Sequence, residues 1–176
     1  MIKTIIALLA LMPVLAEDEG VFISAAIIVG YGIFTAENQV RQKGFTDESP
    51  ASDAVDGIRF IDITNKIPSE PKLGFGIEYL VNSKPVGRPI SVTCVIKFPE
   101  PGLVQPHGRV YKESREKLTV KVGEPTFYGY AFDEPWEMVP GTWTFEVWHK
   151  KARLVRKKFT VLPPATQDSA ESETVI

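Results

Sequence analysis

The sequence predicts an all-β fold, an immunoglobulin-like antiparallel β-sandwich, and three observations carry that expectation. Short apolar stretches with period-two alternation recur along the chain, separated by turn residues. No segment shows the 3.6-residue apolar repeat of an amphipathic helix. Hydrophobic residues make up 44% of the 176 residues, enough to fill the core of one two-layered domain.

Eight strands are expected. Residues 21–34, VFISAAIIVGYGIF, read as a long, bent first strand in which Gly30 and Gly32 mark a bulge or a close approach. Residues 35–57 turn polar and read as a surface connection. The next strand covers 58–63, and Pro68 and Pro71 interrupt the chain before 73–81 alternates again. Pro85 and Gly87 turn it into 90–98, rich in β-branched residues. Three prolines make 99–108 an ordered loop rather than a strand, and 109–115 carries no clear pattern. Short strands at 118–122 and 126–132 follow, then a second proline-bearing loop at 133–141. The last hairpin, 142–149 with 153–162, is the clearest. Trp143, Phe145 and Val147 share one face and can meet Phe159 and Val161, while Glu146 and Trp148 share the opposite face.

Residues 1–16 read as a signal peptide. Lys3 supplies a positive start, 5–15 is almost wholly apolar, and Val14 and Ala16 put small residues before an expected cleavage after Ala16. That apolar run falls short of the roughly 20 residues a membrane span needs. A single domain at 17–163 and a disordered, acidic tail at 164–176 should follow, with no transmembrane anchor in the mature chain and a periplasmic or secreted location.

Composition narrows the chemistry. A formal net charge of -2 argues against nucleic acid as a partner. The one cysteine, Cys94, excludes an intrachain disulfide and sits in an apolar strand, where a thiol is usually inert. The two histidines are far apart, and no H-x-x-x-H, C-x-x-C or G-x-S-x-G occurs. Gly74-Phe75-Gly76 lacks the third glycine of a dinucleotide loop. No catalytic residue, metal site or cofactor is therefore expected.

Binding candidates come from geometry. If successive strands reverse direction, the loops 65–72, 99–115 and 133–141 meet at one end and gather His107, Asp133, Glu134 and Trp136. Trp136 there is either a stacking surface or a plug for the core. Trp148 is either an outward platform for a sugar or a partner's apolar patch, or an aromatic packed across strands. Lys150, Lys151, Arg153, Arg156, Lys157 and Lys158 either contact an anionic partner or guard an edge strand.

Several motifs stand in one order: Thr64-Asn65-Lys66-Ile67-Pro68, Gly74-Phe75-Gly76, Phe98-Pro99 with Pro101-Gly102-Leu103, Phe132-Asp133-Glu134-Pro135-Trp136-Glu137, and Val139-Pro140-Gly141-Thr142-Trp143-Thr144-Phe145-Glu146. Over roughly 57–162 the chain resembles a family of bacterial domains of unknown function found mostly in exported proteins. The resemblance implies a β-sandwich and carries no activity. The expected function is a non-catalytic binding or interaction module of the cell envelope, with an envelope protein or a glycan as partner. The alternative is a metal-assisted hydrolase using His107, Asp133 and Glu134.

Overall fold

A computed structural model describes residues 22–35, 38–41, 53–56 and 58–164. The expected signal peptide, its cleavage after Ala16 and the tail beyond residue 164 lie outside the described residues. The strands are β1 (Phe22–Thr35), β2 (Asn38–Arg41), β3 (Asp53–Asp56), β4 (Arg59–Asp62), β5 (Lys66–Ile67), β6 (Gly74–Lys84) and β7 (Pro89–Lys97). They continue with β8 (Leu103–Val104), β9 (Val110–Tyr111), β10 (Glu113–Lys121), β11 (Pro125–Ala131), β12 (Gly141–His149) and β13 (Ala152–Val161). One 3₁₀ turn, Pro135–Glu137, sits between β11 and β12.

Two sheets form the layers of a β-sandwich. The first runs β11-β6-β1-β4, the second β10-β7-β12-β13-β5. All eight expected strands are present. Pairing is antiparallel except where β5 lies parallel to the end of β13, Lys66 beside Thr160 and Ile67 beside Val161. The chain leaves the first sheet after β4 and joins the second at β5, and this crossover creates the parallel pair.

Four stretches differ from the expectation, the first being the 65–72 loop, which contains β5. The 35–57 connection contains the β2–β3 pair, and the 99–108 loop contains β8, paired with β9. Strands of two to four residues are too short for alternation to reveal, and a two-residue bridge needs no long proline-free run. β10 begins at Glu113 rather than Leu118. Its charged start is compatible with a strand because β10 is a sheet edge whose outer face meets water.

The core sits between the sheets and is aromatic at its centre. Phe75 is surrounded by Phe132, Trp143, Phe145 and Phe159, with ring centroids 5.3–5.5 Å away and mostly edge-on. Trp143 lies opposite Phe159 as the alternation of the last hairpin requires, and meets Phe98 edge-on at 4.8 Å. A second, smaller aromatic group lies on the outer face of the first sheet. There Phe34 and Phe127 meet edge-on at 4.8 Å. A Cβ on Gly74 would fall 2.6 Å from the Phe34 ring, and one on Gly129 would fall 2.5 Å from Phe127. Gly74-Phe75-Gly76 is thus a packing motif: its phenylalanine enters the core and Gly74 makes room for a ring outside.

The first strand behaves as its glycines suggest. Register shifts mark bulges between Ile23 and Ala25 and between Ile28 and Gly30. Gly32, at φ 131°, lets the carbonyl of Asp62 in β4 come close.

Candidate functional site

The proline-bearing loops do gather at one end of the sandwich. Lys72 donates its backbone N–H to Phe132 O at 2.7 Å, and Phe132 returns one to Leu73 O at 3.1 Å, joining the 65–73 and 132–141 segments. Gly141 lies against Pro99, which brings the 98–112 segment to the same end.

The predicted residues at that end have distinct environments. Trp136 is half-buried and packs against the core from the 3₁₀ turn. Asp133 and Glu134 expose their side chains, and their backbone N–H groups donate to Glu137 Oε2 at 2.7 and 2.9 Å. Glu137 is buried. Burial raises its pKa above the usual carboxylate value, although those two N–H donors oppose the rise. The Tyr130 hydroxyl is buried beside it without a well-formed hydrogen bond. Burial first, then the neighbouring carboxylate, push the phenol pKa up. Glu137, which the sequence reading passed over, is the residue that orders this loop. Its signal was the three-residue spacing from Glu134, where a carboxylate can reach back to the start of a short helix.

His107 is exposed in the turn between β8 and β9, where Gly108 donates to Gln105 O. Among the described residues no group of three or more His, Cys, Asp or Glu side chains is placed to hold a metal ion. His107, Asp133 and Glu134 are therefore not assembled as the hydrolase alternative requires. Cys94 is fully buried beside the Tyr79 hydroxyl, 3.6 Å away. Burial pushes its thiol up to about 12 against the lowering effect of that hydroxyl, which leaves it protonated at neutral pH.

The other candidate surface is the outer face of the second sheet. Trp148 lies on it, half-buried, with its indole N–H donating to Glu146 Oε2 at 3.1 Å and Arg153 5.8 Å from its ring centre. Glu146 is only 1% exposed and is ringed by cations: Lys97 Nζ at 3.1 Å, Arg153 Nη1 at 3.4 Å and Arg156 Nε at 3.6 Å. Burial alone would raise its pKa. Hydrogen bonds from Lys97 and Trp148 and the charges of Lys97 and Arg153 outweigh that, so it lies below the usual carboxylate value.

Cross-strand register extends this cluster into a basic face. Arg115 of β10 lies in the row of Val95 and Glu146, and Lys117 lies in the row of Thr93 and Trp148. Together with Lys97, Arg153, Arg156 and Lys158 they face out, opposed by Glu113 and Glu146. Glu113 is paired with Arg115. The basic run of the last hairpin contributes only part of this surface. Lys157 turns the other way, inward, its Nζ 3.0 Å from the centre of the Tyr31 ring, and burial lowers its pKa. Lys97, Arg115 and Lys117 are far from that run in sequence and reach it through strand pairing. Extending the period-two pattern back from Leu118 would have put Arg115 and Lys117 on one face.

Glu146→Gln should lower stability at pH 7 by about 2 kcal/mol, because it removes the carboxylate that three cations and an indole share. A group whose folded pKa is depressed contributes stability above its unfolded value and loses it as pH falls through the folded value. The difference between wild type and variant should therefore be largest at neutral pH and close below the ordinary carboxylate range. Denaturant melts from pH 7 to pH 2 check this; a constant difference would contradict it.

The architecture is that of an immunoglobulin-like β-sandwich. The chain is similar to the crystal structure of an immunoglobulin-like protein from Pseudomonas aeruginosa, with 25% identity and a TM-score of 0.55 over 82% of this chain and 98% of that one. It belongs to the family described as a domain of unknown function, DUF3859, whose model matches residues 24–161. The match thus includes the first strand, beyond the 57–162 over which the motifs carried the resemblance. None of the curated proteins compared with the chain matches it. No helix among the described residues is long and apolar enough to cross a membrane.

Proposed function

We propose that this chain is an exported, non-catalytic binding module of the cell envelope that holds an anionic glycan on the outer face of its second sheet. One observation carries this reading. A chain with a net charge of -2 concentrates cations on a single sheet face, where three of them surround Glu146 and one, Arg153, lies by the ring of Trp148. An edge guard needs charge only on the outermost strand. Here Lys97 lies on β7, an interior strand of the sheet. Arginine and lysine beside an indole suit a sugar ring bearing carboxylates: the ring packs on the aromatic and the acids meet the cations. The amino-terminal sequence supports export into the periplasm or the medium.

The test starts from the chain recovered from the envelope, which should begin at Glu17. It should be retained on an immobilised polyuronate and not on dextran, with retention falling as salt rises. Reversing Arg115, Lys117 and Lys158 to Glu should weaken retention at least tenfold without loss of fold, since all three are exposed and Lys97, which holds the buried Glu146, stays in place. Equal retention of wild type and reversed variant would rule the face out. An acidic envelope protein fits the same face, and cross-linking in intact cells separates that partner from a glycan.

A further inference from the structure

The last strand delivers an acidic segment to the side of the basic face. Residues 165–176 lie beyond the described residues and hold Asp168, Glu171 and Glu173 with no Lys or Arg. Those three acids exceed the chain's whole net charge of -2, so the rest of the chain is net positive. Their root is fixed. Leu162 donates its backbone N–H to Ile67 O at 2.8 Å, and the Ser69 hydroxyl donates to Leu162 O. The chain therefore leaves the sheet alongside β5, where Lys66 pairs with Thr160. Exposed Thr160, Lys158 and Arg156 alternate with inward-facing Val161, Phe159 and Lys157, and Lys66 is exposed beside them. Glu146 already holds Lys97, Arg153 and Arg156, whereas Lys66 and Lys158 have no ion pair among the described residues. On this face the two cations nearest the tail's departure are thus left without an anion.

We propose that residues 165–176 fold back over the basic face and occupy it as a tethered anion, which an outside ligand must displace. The competition, though not the contact, rests on the glycan reading of that face. Reach and spacing both fit. At roughly 3.3 Å per residue, Asp168 reaches about 13 Å from Pro164, Glu171 about 23 Å and Glu173 about 30 Å. Counted back along β13 from the same proline, the row of Lys66 and Thr160 lies about 13 Å away, Lys158 about 20 Å and Arg156 about 26 Å. Each acid thus comes to a cation in turn. Exposed ion pairs are individually weak, but the tether holds the acids at a local concentration on the order of millimolar. The occupancy is accordingly partial and falls as salt rises.

A nitroxide on Ser172→Cys should broaden the amide signals of Lys66 and of residues 156–158 in the isotope-labelled chain. Buried Cys94 takes no label. The broadening should fade in about 0.5 M salt, and in the triple variant Asp168→Asn, Glu171→Gln, Glu173→Gln. Broadening that ignores both changes overturns the proposal, because the tail would then only sweep the neighbourhood of its root. A mixture of nitroxide-bearing chains without isotope and isotope-labelled chains without nitroxide should show none. Broadening there would put the tail on a second copy and overturn the fold-back. On immobilised polyuronate, deleting 165–176 or neutralising its three acids should raise retention by about threefold or more. Retention unchanged by either means that the tail does not compete, which also overturns the proposal. If neither the wild type nor the shortened chain is retained while salt-sensitive broadening persists, the glycan reading falls and the fold-back stands.

Discussion

Trp143→Ala should lower the unfolding free energy by about 4 kcal/mol and the melting temperature by about 12 °C. Trp143 is fully buried and edge-packed against Phe75, Phe98 and Phe132, with centroids between 4.8 and 5.7 Å. Truncation removes an entire indole from a place where both sheets converge, and such cavities close only in part. The indole also donates from Nε1 to Val139 O at 2.9 Å. It therefore ties the 133–140 loop to the core. Trp143→Phe should keep most of the packing and lose that bond, costing about 1–2 kcal/mol through an unpaired carbonyl and an incompletely filled site. Guanidinium melts of the three proteins check the order. If Phe and Ala cost the same, the ring packing is not the source of stability. Backbone hydrogen exchange in 133–140 should rise in both variants, more in alanine.

Gly32→Ala should cost about 3 kcal/mol and loosen β4 from β1. Two independent terms add there. At φ 131° a side chain strains the backbone, by roughly 1–3 kcal/mol. The new methyl would also run into the carbonyl of Asp62, which is backbone and cannot swing aside. Gly87→Ala is the control. Its φ is 80°, but nothing lies within 4 Å of the added carbon, so only the backbone term of about 1 kcal/mol applies. Urea melts should separate the two variants by about 2 kcal/mol. Equal losses would mean that the Asp62 contact plays no part. Because the Gly32 clash acts on β4, the variant should also expose amides of 59–62 before the rest of the sandwich unfolds.

The two variants also separate what each position disclosed in advance. Trp143 was legible: alternation through Thr142 to Trp148 assigned it to the core, and it is there because a strand side chain has only two directions to choose from. Gly32 was legible as a close approach but not as to what approaches, since Asp62 arrives through a chain segment thirty positions on in sequence. The same division runs through the candidate surfaces. Trp136, Asp133, Glu134 and His107 come to one end because strands reverse, an inference available from strand order. Their environments were not available. Glu137 takes the backbone of Asp133 and Glu134 for itself, and Trp136 packs onto the core, because a short proline-started turn closes over it.

Local pattern was enough for an all-β chain, for the eight principal strands and for the inward face of the last hairpin, because period-two burial is written into consecutive residues. Which strands become neighbours is not. The basic face arises only when β10, β7, β12 and β13 lie side by side, placing Arg115, Lys97, Glu146 and Arg156 within a few strand widths. Lys157, one residue from Arg156, goes to Tyr31 on the opposite side instead. Neighbourhood across a sheet is settled by burial and by hydrogen bonding over long loops, and no short stretch of sequence contains both partners.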